Sequence, residues 1–212
     1  MAGFDFKKEY KELYAPKTEP AKITVPPMIF LMADGEGDPN AVGGAYSNVV
    51  GLLYALSYAI KMSKLGKIMP EGYFEYVVPP LEGLWWMKHG APGVDYNNKA
   101  GFCWTSMIRQ PEFVTPEVFD RACAEVRRKK GFDPSGARLQ ILDEGLCVQC
   151  MHHGPFDHEP ATVAKIEAFL GENGLENDIG ETRRHHEIYL GDPRKTTPEK
   201  MRTVLRIPVR EK

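Results

Sequence analysis

The stretch RRHHEIYLGDPRK, Arg183 to Lys195, decides how this chain is read. Ile188, Tyr189 and Leu190 form a short apolar run, entered through His185, His186 and Glu187 and stopped by Gly191-Asp192-Pro193. That is the pattern of a buried strand with a hard stop. Side chains alternate along a strand, so His185, Glu187 and Tyr189 share one face and His186, Ile188 and Leu190 the other. A glutamate in this setting is a metal ligand, a catalytic carboxylate, a cation receptor or a solvent-facing residue. The plain expectation for His185 and His186 is a pair of strand-end histidines at the surface.

Outward from this strand, one order of elements occurs twice. MIFLMA (Met28 to Ala33) reads as a strand, broken by the turn residues of DGEGDPN. Val49, Leu52, Leu53, Leu56 and Ile60 recur at helical spacing up to Gly66, with Tyr54, Tyr58 and Lys61 off the apolar stripe. GYFEYVVPPLEGLWW (Gly72 to Trp86) predicts a strand that stops at Pro79-Pro80 and resumes near the tryptophans, and Ala100 to Pro111 predicts another. Thr115 to Lys130 carries a Thr cap, a first-turn Pro, early acids and late bases, which together specify a helix. The order then restarts: a strand at Gly145–Gly154, a helix at Asp157–Gly174, the strand HHEIYLGDP, and a last strand at Arg202–Val209. YFEYVVPP rhymes with HHEIYLGDP and sets Glu75 over Glu187. The fold class is therefore α+β, with pseudo-repeats over about 28–130 and 145–212 forming antiparallel sheet with helices on one side. Residues 1–27 read as an arm with little core of its own, because Pro16, Pro20, Pro26 and Pro27 forbid a long helix.

The 212 residues are 42% hydrophobic and 26% charged, enough for a globular core. A net charge of −2 argues against nucleic-acid binding, and RRKK (Arg127 to Lys130) reads as a solvated helix end. No stretch has the apolar length of a membrane span, and the charged N-terminus has no signal-peptide character. Four cysteines suit a reducing compartment, so the expected location is cytoplasmic.

Cys147 and Cys150 match C-x-x-C, but on a strand residues three apart face opposite ways, and no metal is expected there. His185-x-Glu187 lacks the following P-C-x-x-C of zinc deaminases. No phosphate-cradling or nucleophile-elbow motif occurs, and no cofactor is expected. The aromatic residues are more informative. Trp85 and Trp86 are adjacent, so one can enter the core while the other faces a cleft; Trp104 and Met107 lie on opposite faces of one strand. Packing accounts for each ring singly. As a set, with an inward carboxylate, they suit a flat, often cationic molecule.

Four segments, VPPLEGLWW, WTSMIRQPEFVTPEVF, CMHHGPFDHEPATVAKI and HHEIYLGDPRKTTPEKMRTVLRIPV, together resemble the gyrase-inhibitor-like (GyrI-like) small-molecule-binding family, in its stand-alone branch with a long N-terminal arm. The resemblance runs from about Tyr10 to the end. It implies a duplicated β-α-β-β (SHS2-like) unit over residues 28–212, a ligand cleft between the halves, and a cleft-floor glutamate that falls on Glu187. Some members of this branch hydrolyse cyclopropane-bearing DNA alkylators, which would make Glu187 a general base and Tyr189 its catalytic partner. Trp85, Trp86, Trp104, Met107, Tyr54 and His152 are the candidate ligand-binding residues. The partner so implied is a small molecule. A non-catalytic drug sponge or ligand sensor would use the same cleft.

Overall fold

The computed structural model describes residues 3–66, 69–89, 93–192 and 195–212. Two short helical turns, α1 (Phe6–Glu9) and α2 (Lys11–Tyr14), precede strands β1 (Ala21–Val25) and β2 (Met28–Glu36). Helix α3 (Ala45–Lys61) leads to β3 (Leu81–Met87) and β4 (Phe102–Arg109). Helix α4 (Pro116–Lys130), capped by the Thr115 side chain and closed by left-handed Gly131, is followed by β5 (Ala137–Leu142). The second half runs β6 (Gly145–His153), α5 (Glu159–Glu172), β7 (Leu175–Asn177), β8 (His185–Tyr189) and β9 (Arg202–Glu211).

The strands form one antiparallel sheet in the order β1-β6-β9-β8-β3-β4-β2-β5, with β7 paired to the end of β9. Within it, β2-β4-β3 and β6-β9-β8 repeat one arrangement in which the third strand of each β-α-β-β unit lies between the other two. The halves join where β3 pairs with β8, Gly83 opposite Glu187 and Trp85 opposite His185. β8 is thus a central strand with hydrogen-bonded neighbours on both sides.

One face carries the long helices. Ile166 and Leu170 of α5 pack on Val148, Cys150, Leu205 and Ile207, while Leu52, Leu53 and Leu56 of α3 enter the main core with Leu31 and Ile108. The opposite face is covered by the N-terminal residues. Tyr14 donates to Glu82 Oε1 at 3.2 Å, Arg206 Nη2 to the Leu13 carbonyl at 3.0 Å, and the Arg109 guanidinium lies over the Phe6 and Tyr10 rings. The stretch read as an arm with little core of its own has buried residues, Phe6, Leu13 and Tyr14, and supplies edge strand β1. Its prolines exclude a long helix but not an edge strand or single helical turns.

Two further expectations change. His185 and His186 are 3% and 0% exposed, because β8 is central and both of its faces are covered. The pairing of Glu75 with Glu187 fails as well. Glu75 lies outside β3 in an exposed segment and pairs with Lys64, and the strand that neighbours β8 starts six residues later, at Leu81.

Candidate functional site

On the helix side of the sheet, near the first turns of α3 and α5, the middle strands bring a set of buried polar and aromatic side chains together. Alternation on β8 directs His185, Glu187 and Tyr189 to this face, and the β3 register adds Gly83 and Trp85 beside them. Glu187 is 6% exposed. Its Oε2 accepts from the Tyr189 hydroxyl at 2.9 Å, and its Oε1 lies 3.2 Å from His185 Nε2. The Tyr189 oxygen in turn accepts from Trp85 Nε1 at 2.8 Å. Gly83 permits this chain: a Cβ there would stand 2.6 Å from Trp85 Nε1 and 3.0 Å from the Tyr189 hydroxyl.

Rings wall the site. Tyr46, in the first turn of α3, lies 5.6 Å from Trp85 and 5.0 Å, edge-on, from Trp104. Phe102 meets Trp85 edge-on at 5.6 Å, and Phe156 meets Tyr189 edge-on at 5.5 Å. Trp104 is itself fully buried and leans over Gly35, where a Cβ would fall 2.1 Å from its ring. Tyr46, Tyr96, Phe156 and Tyr189 keep partial exposure.

The first residue of α5 contributes a second carboxyl. Glu159 is fully buried, and its Oε2 accepts from the Tyr96 hydroxyl at 3.2 Å. Its Oε1 is buried without a formed hydrogen bond, yet Glu187 and Thr203 are near enough to share a proton placed on it. Burial, and then the neighbouring Glu187, raises the Glu159 carboxyl well above the usual carboxylate range. The same two causes, in the same order, raise the Tyr189 and Tyr96 hydroxyls. Among the described residues no Lys or Arg pairs with either carboxyl.

Of the residues expected from sequence, Glu187, Tyr189, Trp85 and Trp104 come together here. His152 is on the same face but engaged, with Nδ1 2.9 Å from Thr162 Oγ1 and Nε2 3.2 Å from the Pro155 carbonyl; burial lowers its pKa. Tyr54 packs on the main core, close enough to Tyr46 to act on its hydroxyl. Trp86 is on the opposite face under the Arg184 guanidinium at 4.6 Å, and Met107 is fully buried on that face as well, so neither reaches Glu187. Sequence reasoning missed Glu159, Tyr96 and Phe156. A Glu followed by Pro160 reads as an ordinary helix start, so Glu159 sends no local signal.

Glu159, His185 and Glu187 also form a group of three buried ligand-type side chains, with one ligand atom of each within 4.8 Å of the others. Ligands of one tetrahedral zinc, at about 2.0–2.2 Å from it, stand roughly 3.4 Å apart, so this spread would have to contract around such an ion. Cys147 and Cys150 fall in separate core clusters on opposite faces and cannot close on one ion.

A duplicated α+β sheet whose halves meet at buried carboxyls among aromatic rings is the setting in which a small-molecule-binding class of protein is to be sought. Residues 18–210 match the family described as GyrI-like small molecule binding domain, and the chain belongs to that family. A conserved uncharacterized protein from Listeria innocua is 51% identical, with 98% of this chain and 100% of that one covered and a TM-score of 0.91. A second structure, described as a hydrolase from Listeria innocua, is 49% identical over the same shares with a TM-score of 0.88. The C-terminal domain of EcmrR shares the fold at 12% identity and a TM-score of 0.54, covering 92% of this chain and 98% of its own. No curated protein matches. Among the described residues no helix is long and apolar enough to cross a membrane.

Proposed function

We propose that the cleft binds flat aromatic small molecules and hydrolyses cyclopropane-bearing DNA-alkylating toxins, with Glu187 as general base. The observation that carries this reading is the Glu187 carboxylate itself: buried among aromatic rings, with no Lys or Arg partner among the described residues and fixed by Tyr189 and His185. In such a toxin, water attacks a carbon of the strained ring while the conjugated dienone oxygen collects the electron pair. Glu187 takes the proton from water, and the Trp85–Tyr189–Glu187 chain fixes the direction in which the carboxylate points. The likeness to a Listeria innocua hydrolase at 49% identity supports a hydrolytic role. The test is incubation with a spirocyclopropane alkylator, the water adduct being followed by mass. An unchanged drug after many turnovers' worth of time would refute hydrolysis.

The same lack of a Lys or Arg partner among the described residues favours a second reading, in which the protein is a binding-only sponge or sensor for lipophilic cations. Glu187→Gln separates the two. As a base, its loss lowers turnover on the order of a hundredfold or more while binding of a neutral drug persists. As a charge receptor, its loss weakens cation binding and there is no turnover to lose.

A further inference from the structure

We propose that Glu159 is the acid partner of Glu187, and that the two carboxyls give the cleft a further activity: hydration of aryl epoxides to vicinal diols. This rests on the reading of Glu187 as the base. The geometry that points to it is the carboxyl pair: both groups buried, one oxygen of each within 4.8 Å, and no cation between them among the described residues. Glu187 has both oxygens engaged, by His185 and Tyr189, whereas Glu159 Oε1 has no formed hydrogen bond. Two buried carboxylates this close do not both ionise readily, so one proton belongs to the pair. Tyr189 already donates to Glu187, which leaves Glu159 as the group that holds that proton. The groups facing Glu159 are Glu187, His185 and Tyr189 of β8, Tyr96 of the segment after β3, and Thr203 of β9.

The spacing selects the substrate. Each carboxyl reaches about 3 Å to a proton donor or acceptor. Together they serve an attacking water and a leaving atom only where that atom is bonded to the attacked carbon. An epoxide meets the condition. Water adds to the benzylic carbon and gives its proton to Glu187; the carbon–oxygen bond breaks, and its oxygen takes the proton of Glu159. The product is a diol, and transfer of the proton from Glu187 to Glu159 across the pair restores the starting state. In a spirocyclopropane dienone the oxygen that gathers charge lies across a conjugated ring from the attacked carbon, beyond the reach of an acid beside the base. Tyr46, Trp85 and Phe156 would hold the aryl group.

The experiment compares trans-stilbene oxide and a spirocyclopropane alkylator on wild type, Glu159→Gln and Glu187→Gln. Wild type is expected to form the diol. Glu159→Gln keeps the shape of the neutral acid but cannot protonate oxygen, so epoxide turnover should fall on the order of a hundredfold or more. That loss should exceed the loss on the cyclopropanoid by tenfold or more, and Glu187→Gln should disable both reactions. A second readout needs no variant: in wild type the epoxide rate falls on the alkaline side as Glu159 gives up its proton, and the cyclopropanoid rate does not follow it. An epoxide left intact by protein that opens the cyclopropanoid overturns this inference and spares the proposed function. Equal losses on the two substrates, or parallel alkaline limbs, reduce Glu159 to a structural residue and overturn it too. Inertness toward both substrates removes both proposals.

Discussion

The site is held at the scale of single residues by a relay in which each group has one assignment. The Tyr189 hydrogen is given to Glu187 and its oxygen receives Trp85 Nε1, so Tyr189 orients the carboxylate. Tyr189→Phe removes both bonds and leaves the Trp85 N–H buried without a partner. The expected loss is about 1–3 kcal/mol of stability, read from denaturant midpoints, with turnover lowered less than in Glu187→Gln. A Glu187 variant no worse than the Phe variant would refute this ranking. Gly83 is the complementary case. In Gly83→Ala the new methyl group occupies the space of the Trp85–Tyr189 contact, so one ring must swing out. Overpacking of this kind typically costs about 1–3 kcal/mol. Tryptophan fluorescence should report the displaced ring, and an unchanged spectrum with full activity would contradict the relay.

Elements decide which residues the relay can recruit. β8 places Glu187 and His186 on opposite faces of a central strand, so one short segment serves both the cleft and a second buried network. In that network His186 bonds Glu82 and Glu144 at 2.9 Å each, and Arg206 bonds Glu144 at 2.9 Å. The N-terminal residues seal it through Tyr14 and Leu13. Removal of residues 1–20 would open these charges to water and strip cover from the sheet. The truncated protein should lose several kcal/mol, of the order seen when large buried side chains are removed, or fail to accumulate in soluble form; a melt matching that of the full chain would show the segment to be dispensable. Here sequence and structure part in an instructive way. Strong periodicity revealed α3, α4, β6, β8 and β9, and alternation alone put His185, Glu187 and Tyr189 on one face. Edge strands β1 and β5 escaped because half-exposed strands carry a weak alternation signal, as the exposed Ile141 of β5 illustrates. Glu159 escaped because its proximity to Glu187 is created by the packing of α5 on the sheet, which no local pattern encodes.

Across the whole molecule, the two faces of the sheet hold titrating groups whose effects on stability can be separated by pH. Burial would raise Glu144, but His186 and Arg206 outweigh it and hold the carboxyl down to about 2 against its usual 4.5. Burial would likewise lower His186, but Glu144 and Glu82 outweigh it and raise the ring from 6.5 to about 9. Both shifts draw on the one ion pair between Glu144 and His186. The depressed Glu144 contributes stability present above pH 4.5 and lost as pH falls toward about 2. The raised His186 contributes stability present below pH 6.5 and lost as pH rises through about 9. Glu159, on the cleft face, is raised by burial and by Glu187, so its contribution is complete only below 4.5 and declines as soon as the unfolded chain begins to ionise. Glu159 should therefore make wild-type stability decline as pH rises above 4.5, and His186 should add a decline of its own above 6.5. Glu159→Gln is permanently neutral and should remove the Glu159 contribution alone, so that its melting temperature declines less than that of the wild type above pH 4.5 while keeping the His186 decline above 6.5 and the Glu144 decline below 4.5. Melting curves of both proteins from pH 3 to 9 make the comparison, and a wild type that is flat across the range, or a variant that parallels it throughout, would show that the carboxyl pair carries no proton of its own.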